Sequence, residues 1–208
     1  MQKELNFKGP IVTQGPFSYH LAPDEDITEP NFKKKLVFAG NINKSKYLDK
    51  IPSSWHLDIF GKKPEGDILN LESVVYKGSF TPTDLPNHFN GGFGLVWDSD
   101  SFDQVIGESA NYSRISYEHK LSLYLVKRLP VFIWKHAAPA KWVTENHLGF
   151  AVDNLSDIWP IMENLTEDDY KSMQKNLVHV SNLIRSGVFA KHAALKAVLA
   201  VNESYNKW

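Results

Sequence analysis

His119, Lys120 and Ser122 bring an imidazole, an ammonium and a hydroxyl group into one short stretch of the chain. The apolar spacing around them predicts a helix over residues 119–128, so all three lie at its beginning. The first N–H groups of a helix have no partner within it, and together with the helix dipole they attract phosphate oxygens. A cation at this end weakens a helix, so an anionic ligand explains Lys120 better than folding alone does. The stretch therefore predicts an anion-binding site.

Two further turns carry groups that suit an anion or a planar ligand. Gly40 permits a tight turn after an apolar run, and the segment that follows begins with free N–H groups near Asn41 and Lys44. An ordinary turn with surface lysines explains the same residues equally well. The second turn ends in Thr81, which can cap a helix, and Pro82, which fits its first turn. Many strand-to-helix loops share that pattern, so it is a weak signal.

Asp98 and Asp100 place two carboxylates within three residues, directly after another apolar run. Such a pair can bind a metal ion or a hydroxyl-bearing ligand, and one of the two can act as a general base. A solvated turn is the competing interpretation. The chain has no Walker loop, G-x-G-x-x-G fingerprint, G-x-S-x-G elbow or H-E-x-x-H motif, and its eight histidines lack metal-ligand spacing. P-loop NTPases and the usual dinucleotide enzymes are therefore disfavoured.

The elements that must position these groups are short apolar runs separated by helical patterns. The predicted strands are 36–40, 55–61, 74–76, 93–97, 130–134 and 149–152. The predicted helices between them are 44–50, 82–89, 119–128 and 138–146. Nearly continuous apolar strands separated by single helices are typical of a parallel sheet covered on both faces. With right-handed crossovers this predicts a doubly wound α/β domain of about six strands, with ligands at the carboxyl ends of the strands.

The chain divides into three predicted segments. Residues 1–34 are interrupted by proline and glycine and form a lead-in, in which apolar patches at 11–12 and 17–19 are expected to dock. Residues 35–186 form the α/β unit, and residues 187–208 form a helical tail. The end of the chain is helical, with Ser156 or Asp157 capping one helix and the run from Thr166 to Asp169 opening another.

Charge is unevenly distributed along the chain. Residues 98–118 hold five acids against Arg114, whereas six bases face the single acid Glu203 from Lys171 to the end. Solvated helix and loop faces explain this pattern in most proteins. The alternative is that the basic end lies near an anionic ligand or an acidic partner surface.

Composition excludes several classes of protein. With 208 residues, 42% of them hydrophobic, the chain can form one substantial core or two small ones. The balance of 23 Lys and Arg against 24 Asp and Glu argues against a general nucleic-acid binder, and the absence of cysteine excludes disulfide scaffolds and thiolate metal sites. No apolar run approaches the roughly 20 residues that span a bilayer, and Met1–Glu4 lacks the apolar core of a signal peptide. We expect a soluble, cytoplasmic protein with no transmembrane segment.

Several segments, taken in order, have the spacing of a known family. They are Leu36–Asn41 with Lys44 and Ser45, Tyr76–Phe80, Phe93–Asp98, and His119–Leu125 with Leu129–Val131. Over about residues 35–200 this succession resembles the C-terminal half of small bacterial GT-B glycosyltransferases. That group includes the glucosyltransferase of serine-rich-repeat adhesin O-glycosylation and galactofuranosyltransferases of polysaccharide loci. The most specific part is the His-Lys-x-Ser-x-Tyr-Leu helix after the Trp-Asp loop.

The resemblance implies a Rossmann-like domain that binds a nucleotide sugar, a UDP-sugar, without a metal or other cofactor. It places the base against the backbone near Phe80, the diphosphate at the helix that begins at His119, and Tyr117 at the ribose or sugar. The residues it implies for nucleotide-sugar binding are Gly40, Asn41, Lys44, Ser79, Phe80, Thr81, Asp98, Tyr117, His119, Lys120 and Ser122. Lys120 and His119 are also implied to be catalytic, because they would stabilise charge on the leaving diphosphate.

The same resemblance implies a separate acceptor-binding domain ahead of this chain. We therefore expect the donor half of an enzyme that transfers a hexose to a glycan or glycoprotein acceptor, poorly active by itself. Surfaces that the other domain would cover favour a homo-oligomer. Two alternatives stay open, a non-catalytic nucleotide-sugar-binding subunit and an epimerase-type enzyme on a related fold. A fold does not determine function, which depends on the residues of the site.

Overall fold

The computed structural model of the protein describes residues 9–21 and 27–205. The expectation drawn from Met1–Glu4, part of the lead-in and the last three residues of the tail lie outside these ranges.

Six strands form one parallel sheet in the order β3-β2-β1-β4-β5-β6. The strands are β1 (Asn31–Ala39), β2 (Leu57–Phe60), β3 (Val74–Gly78), β4 (Gly91–Val96), β5 (Val131–Trp134) and β6 (Gly149–Val152). Every neighbouring pair is parallel, and β1, β2, β4 and β5 bury the carboxyl halves of their length. The doubly wound α/β prediction is confirmed.

The order of the strands reverses between β1 and β4, which lie side by side at the centre of the sheet. In doubly wound sheets the two chain segments that leave such neighbours pass to opposite faces, and a crevice opens at their carboxyl ends. Here Gly40 follows β1 and Trp97 and Asp98 follow β4.

In the part of the chain that the structure describes, six α-helices accompany the sheet. They are α1 (Glu108–Ser113), α2 (His119–Val126), α3 (Ala140–Glu145), α4 (Ile158–Asn164), α5 (Glu167–Arg185) and α6 (Val188–Tyr205). The helices predicted over 119–128 and 138–146 correspond to α2 and α3. No helix in residues 9–21 and 27–205 is long and apolar enough to cross a membrane.

The helices predicted over 44–50 and 82–89 are wrong in type, because both segments form short 3₁₀ turns. These turns are Ile42–Lys44, Lys46–Lys50 and Leu85–His88, and others occupy Asp67–Asn70 and Leu155–Asp157. Pro52 disfavours the helical conformation of the residue before it, and Pro86 lacks the N–H that an α-helix needs. The sequence also missed α1, since Ala110 is the buried hydrophobic residue in its six residues and it shows no apolar stripe.

Helix α2 is fixed over the sheet by Tyr124. A Cβ atom on Gly94 of β4 would lie 2.3 Å from Cγ of Tyr124, so the helix packs directly on the strand backbone. The N–H of Ala39, at the end of β1, donates a 2.8 Å hydrogen bond to the Tyr124 hydroxyl. On its other side α2 meets α5, where the Ser181 hydroxyl donates to the carbonyl of Val126 at 2.7 Å. These contacts hold the start of α2 beside the ends of β1 and β4.

The lead-in docks through its second apolar patch. The ring of Phe17 stacks on His119 with a centroid separation of 4.2 Å, and the Tyr19 hydroxyl donates to the carbonyl of Pro82. Leu21 is buried, whereas Ile11 in the first patch is 51% exposed. The expectation of docking is therefore met by residues 17–19 and not at Ile11.

Strand β1 begins at Asn31, ahead of the strand start predicted at residue 36.

The capping prediction is confirmed at one helix and wrong at another. Thr166 and Asp169 form a capping box at α5, in which the N–H of Thr166 donates to the Asp169 carboxylate at 2.9 Å. Asp157 occupies the N-cap position of α4, but its side chain makes no capping bond there. Its carboxylate instead accepts a hydrogen bond from the N–H of Asn154 at 2.9 Å.

Candidate functional site

A cavity of about 500 Å³ opens where β1 and β4 end. Ligand pockets of small molecules commonly have this size. The lining residues are Tyr19, Ala39, Gly40, Phe80, Pro82, Leu85, Asp98, Tyr112, Glu118, His119, Lys120 and Leu123. They come from the lead-in, the turns after three strands, α1 and the start of α2, so the fold brings distant segments together here.

Lys120 lies between two carboxylates at one end of this cavity. Its ammonium pairs with Asp98, lies 3.4 Å from Oε2 of Glu118 and approaches the carbonyl oxygen of Trp97 at 3.5 Å. It also stands 5.3 Å from the centre of the Phe38 ring. In this structure Lys120, which the sequence assigned to an anionic ligand, is paired with the protein's own carboxylates.

The two carboxyl groups differ in burial and in acidity. Burial by itself raises the pKa of Asp98, but the attraction and hydrogen bond of Lys120 outweigh it, so the pKa lies below its usual value. Burial raises the pKa of Glu118, and the attraction of Lys120 opposes that rise without cancelling it. The Ser113 hydroxyl donates a 2.8 Å hydrogen bond to Oε1 of Glu118. Oε2 of Glu118 is buried without a hydrogen-bond partner.

The aromatic side chains of Tyr19 and Phe80 also line the cavity. The rings of Phe80 and His88 stack with their centres 3.5 Å apart, and His88 is within 3.1 Å of an Asp84 carboxylate oxygen. Tyr19 closes this side through its bond to Pro82. Phe80 is half-buried and lines the cavity, so its ring can pack against a planar group of a ligand.

The start of α2 supplies the polar backbone of the site. Glu118 holds the N-cap position and makes no side-chain cap bond, so the first N–H groups of the helix keep their capacity for a ligand. From Leu121 to Val126 every residue of α2 is buried, and His119 at the first position is exposed beside Phe17. An anion can therefore approach this helix at its N-terminal end.

The structure brings five of the predicted site residues to the cavity, namely Gly40, Phe80, Asp98, His119 and Lys120. It places the others elsewhere. Asn41, Lys44, Ser79 and Thr81 are exposed and do not line it, and the Thr81 hydroxyl lies 3.2 Å from that of Thr83 rather than capping a helix.

Two further predicted residues, Ser122 and Tyr117, do not line the cavity. Ser122 is only 1% exposed, and its hydroxyl is buried without a partner, so it does not face the cavity. Tyr117 packs against Trp142 with ring centres 6.3 Å apart and also lies outside the lining. Ser122 is buried because α2 lies between the sheet and α5, whereas Tyr117 is half-buried.

Sequence reasoning missed Glu118, Tyr19 and Tyr112 as lining residues. The position of Glu118 directly before His119 was the available signal, since an N-cap residue borders any ligand at a helix start. Tyr19 reaches the cavity from an irregular segment and Tyr112 from α1, which shows no apolar stripe, so neither carries such a signal. Within the described ranges, no three or more His, Asp or Glu side chains group closely enough to hold a metal ion.

Comparison with known proteins identifies sequence relatives. A family model described as "Glucosyltransferase 3-like, C-terminal domain" matches residues 36–197. The β-1,6-galactofuranosyltransferase WbbI of Escherichia coli (strain K12) is 31% identical over 177 residues, covering 83% of this chain and 52% of that protein. Glucosyltransferase 3 of Streptococcus gordonii is 30% identical over 179 residues, covering 86% and 52%. The chain thus spans about half the length of these curated relatives.

A solved structure shares the fold at low sequence identity. AviGT4, a glycosyltransferase involved in avilamycin A biosynthesis, superimposes with a TM-score of 0.56 at 14% identity, covering 93% of this chain and 59% of that one. At this identity the similarity establishes the fold alone.

Proposed function

The chain belongs to the glucosyltransferase 3-like C-terminal domain family, as its resemblance predicted, and we propose that it is the donor-binding half of a hexosyltransferase. The names of the relatives, a glucosyltransferase and a galactofuranosyltransferase, support a hexose as the transferred group. The donor is a nucleotide sugar, with UDP-sugars as the candidates that the sequence resemblance implies.

The observation that carries this proposal is the cavity at the switch point of the sheet, with Lys120 and the start of α2 at one end. A diphosphate placed there receives hydrogen bonds from the first N–H groups of α2 and from the Lys120 ammonium. Negative charge grows on the leaving diphosphate as the bond to the sugar breaks. The first N–H groups of α2 are held in place by the helix and stabilise this charge without reorganising, and Lys120 adds its positive charge once it has left Asp98.

The remaining parts of the donor fit the rest of the cavity. The apolar side chains of Phe80 and Pro82 suit contact with the base. Gly40 lets the sugar or phosphates approach the backbone closely. Asp98 suits a sugar hydroxyl once Lys120 has turned to the diphosphate. Since Lys120 and the helix supply positive charge, we propose that binding needs no metal ion, so a chelator leaves donor affinity unchanged.

Binding of UDP tests the proposal directly. In isothermal titration, Lys120→Ala should weaken UDP binding about 10- to 100-fold, the equivalent of one hydrogen bond to a charged group. Lys141→Ala is the matched control, because Lys141 is 84% exposed on α3 and lies outside the cavity. Equal affinity of wild type and Lys120→Ala, with both proteins folded by thermal melting, would contradict the assignment of the diphosphate to this end.

Transfer by the isolated chain should be slow. The relatives are about twice as long, and we propose that the acceptor, a glycan or glycoprotein, binds mainly through the part that this chain does not span. Incubation with UDP-glucose or UDP-galactose and a glycan acceptor should give little transferred hexose. Efficient transfer by the chain alone would refute the proposal that the acceptor binds mainly outside it.

A further inference from the structure

Charge is unbalanced at the Lys120 end of the cavity. Among the described residues that line it, Lys120 is the sole lysine or arginine, while Asp98 and Glu118 both face its ammonium. With both carboxyls ionised the cluster carries a net charge of −1. A cluster of that charge repels a diphosphate, so anion binding at this end requires that one negative charge be removed or compensated.

The two carboxyls are not equivalent candidates for that change. The Asp98 side chain is 33% exposed, pairs with Lys120 and stays hydrated on its open side. The Glu118 side chain is 6% exposed, and its Oε1 is fixed by the Ser113 hydroxyl, itself in a buried residue. Glu118 is thus held in place and poorly hydrated, and burial disfavours its charged form.

The orphaned Oε2 of Glu118 indicates where a proton would lie. It is buried with no hydrogen-bond partner, 3.4 Å from the ammonium. Asp98 and Glu118 both approach the same Lys120 ammonium, and the negative charge of Asp98 raises the pKa of Glu118. A proton on Oε2 therefore gives this atom a hydrogen bond to make once the Lys120 ammonium has moved away.

Other charged or titratable groups near Glu118 do not compete for this role. Asp98 approaches from the segment after β4 and Lys120 from the first turn of α2. The Tyr47 and Tyr124 hydroxyls approach from the segment after β1 and from α2. Burial raises the pKa of both tyrosines, so they stay neutral at neutral pH. His119 is adjacent in the chain and exposed, so a variant at this position separates its contribution from that of Glu118.

We infer that Glu118 is a positioning residue for Lys120 and that it takes up a proton from solvent when an anionic donor binds. Lys120 then leaves Asp98 for the diphosphate, the protonated Glu118 donates its Oε2–H to Asp98, and Ser113 keeps Glu118 in place. The cluster changes from a net charge of −1 to 0 as the ligand enters. This inference rests on the proposed function, since it describes how the same site accepts its donor.

The test is titration calorimetry with UDP-glucose between about pH 6 and pH 8, in two buffers of different ionisation enthalpy. UDP-glucose is the probe because its diphosphate, linked on both sides, keeps a constant charge in this range. At the upper end the heat should differ between buffers by the equivalent of up to one proton taken up per ligand bound. Affinity should fall by up to about tenfold for each pH unit above the pKa of Glu118.

Two variants separate the groups. Glu118→Gln carries a neutral amide of the same shape, so it should bind UDP-glucose with no proton uptake and with an affinity that stays constant as the pH rises. His119→Gln removes the neighbouring imidazole, and whatever its affinity, it should keep the proton uptake and the pH dependence if Glu118 is the group that takes up the proton.

The outcomes are distinguishable. Binding of UDP-glucose to the wild type with equal affinity across the range and no buffer-dependent heat overturns the inference alone, and this measurement does not depend on any variant folding. Loss of the pH dependence in His119→Gln overturns it in favour of the histidine. Absence of UDP-glucose binding at every pH overturns the proposed function and the inference with it.

Discussion

Replacing Gly94 by alanine tests the contact that places α2, and with it Lys120, at the cavity. The added Cβ would lie 2.3 Å from Cγ, 2.4 Å from Cδ2 and 2.8 Å from Cβ of Tyr124. Tyr124 is completely buried, so its ring has no free space to enter. The helix must therefore move away from the strand.

The cost follows from these contacts. Overpacking of this kind destabilises a core by about 1–3 kcal/mol. A shift of Tyr124 also weakens its hydrogen bond with the N–H of Ala39, and a buried donor left unpaired costs about 1–3 kcal/mol. We expect a loss of about 3 kcal/mol, which lowers the melting temperature of a chain of this size by about 6–12 °C. UDP affinity should fall as well, because the start of α2 is displaced.

Thermal melting followed by circular dichroism, with urea unfolding as a second measure, gives the comparison. Gly40→Ala is the matched control, since its added Cβ would meet only the Phe38 ring, at 3.4 Å and 3.7 Å. Its stability should stay within about 1 kcal/mol of the wild type. A Gly94→Ala protein that melts within about 2 °C of the wild type would refute the packing argument.

Three further predictions follow from other contacts. Asp98→Asn removes a carboxylate that pairs with Lys120, so inorganic pyrophosphate should bind more tightly, by up to about tenfold in calorimetry; weaker binding would contradict the pairing. Hydrogen bonds from Thr166 hold the pKa of Asp169 below its usual value, so the capping box stabilises the chain at neutral pH and loses that contribution as the pH falls below about 4. The urea midpoint of Asp169→Asn should therefore change less between neutral and acid pH than that of the wild type, and an equal change would count against the cap. Exposed Leu195, Val198 and Leu199 give α6 an apolar face, so light scattering should show self-association that rises with concentration and weakens in a Leu195→Gln/Leu199→Gln variant; a monomer at every concentration would exclude it.

The strands of this protein were predictable because their signal is local. Each of the six predicted runs overlaps a strand of the sheet, since a buried parallel strand needs only a few consecutive apolar residues. Helices α2 and α5 were predictable from apolar content and from the capping box at Thr166. The 3₁₀ turns at 42–50 and 85–88 were not predictable from the sequence. Over so few residues, proline content and the direction in which the chain enters the turn decide between 3₁₀ and α geometry.

For the candidate site, the sequence by itself determined that Gly40, Phe80, Asp98 and Lys120 belong together, because strand ends and helix starts share one edge of a doubly wound sheet. Only the tertiary structure decided what each side chain meets. Lys120 pairs with a carboxylate 22 residues away, and Ser122 turns into the interior because α2 lies between the sheet and α5. The edge on which a residue lies follows from local pattern and topology. The charge partner and the exposure of a side chain depend on how the elements pack, and a local sequence pattern does not predict that packing.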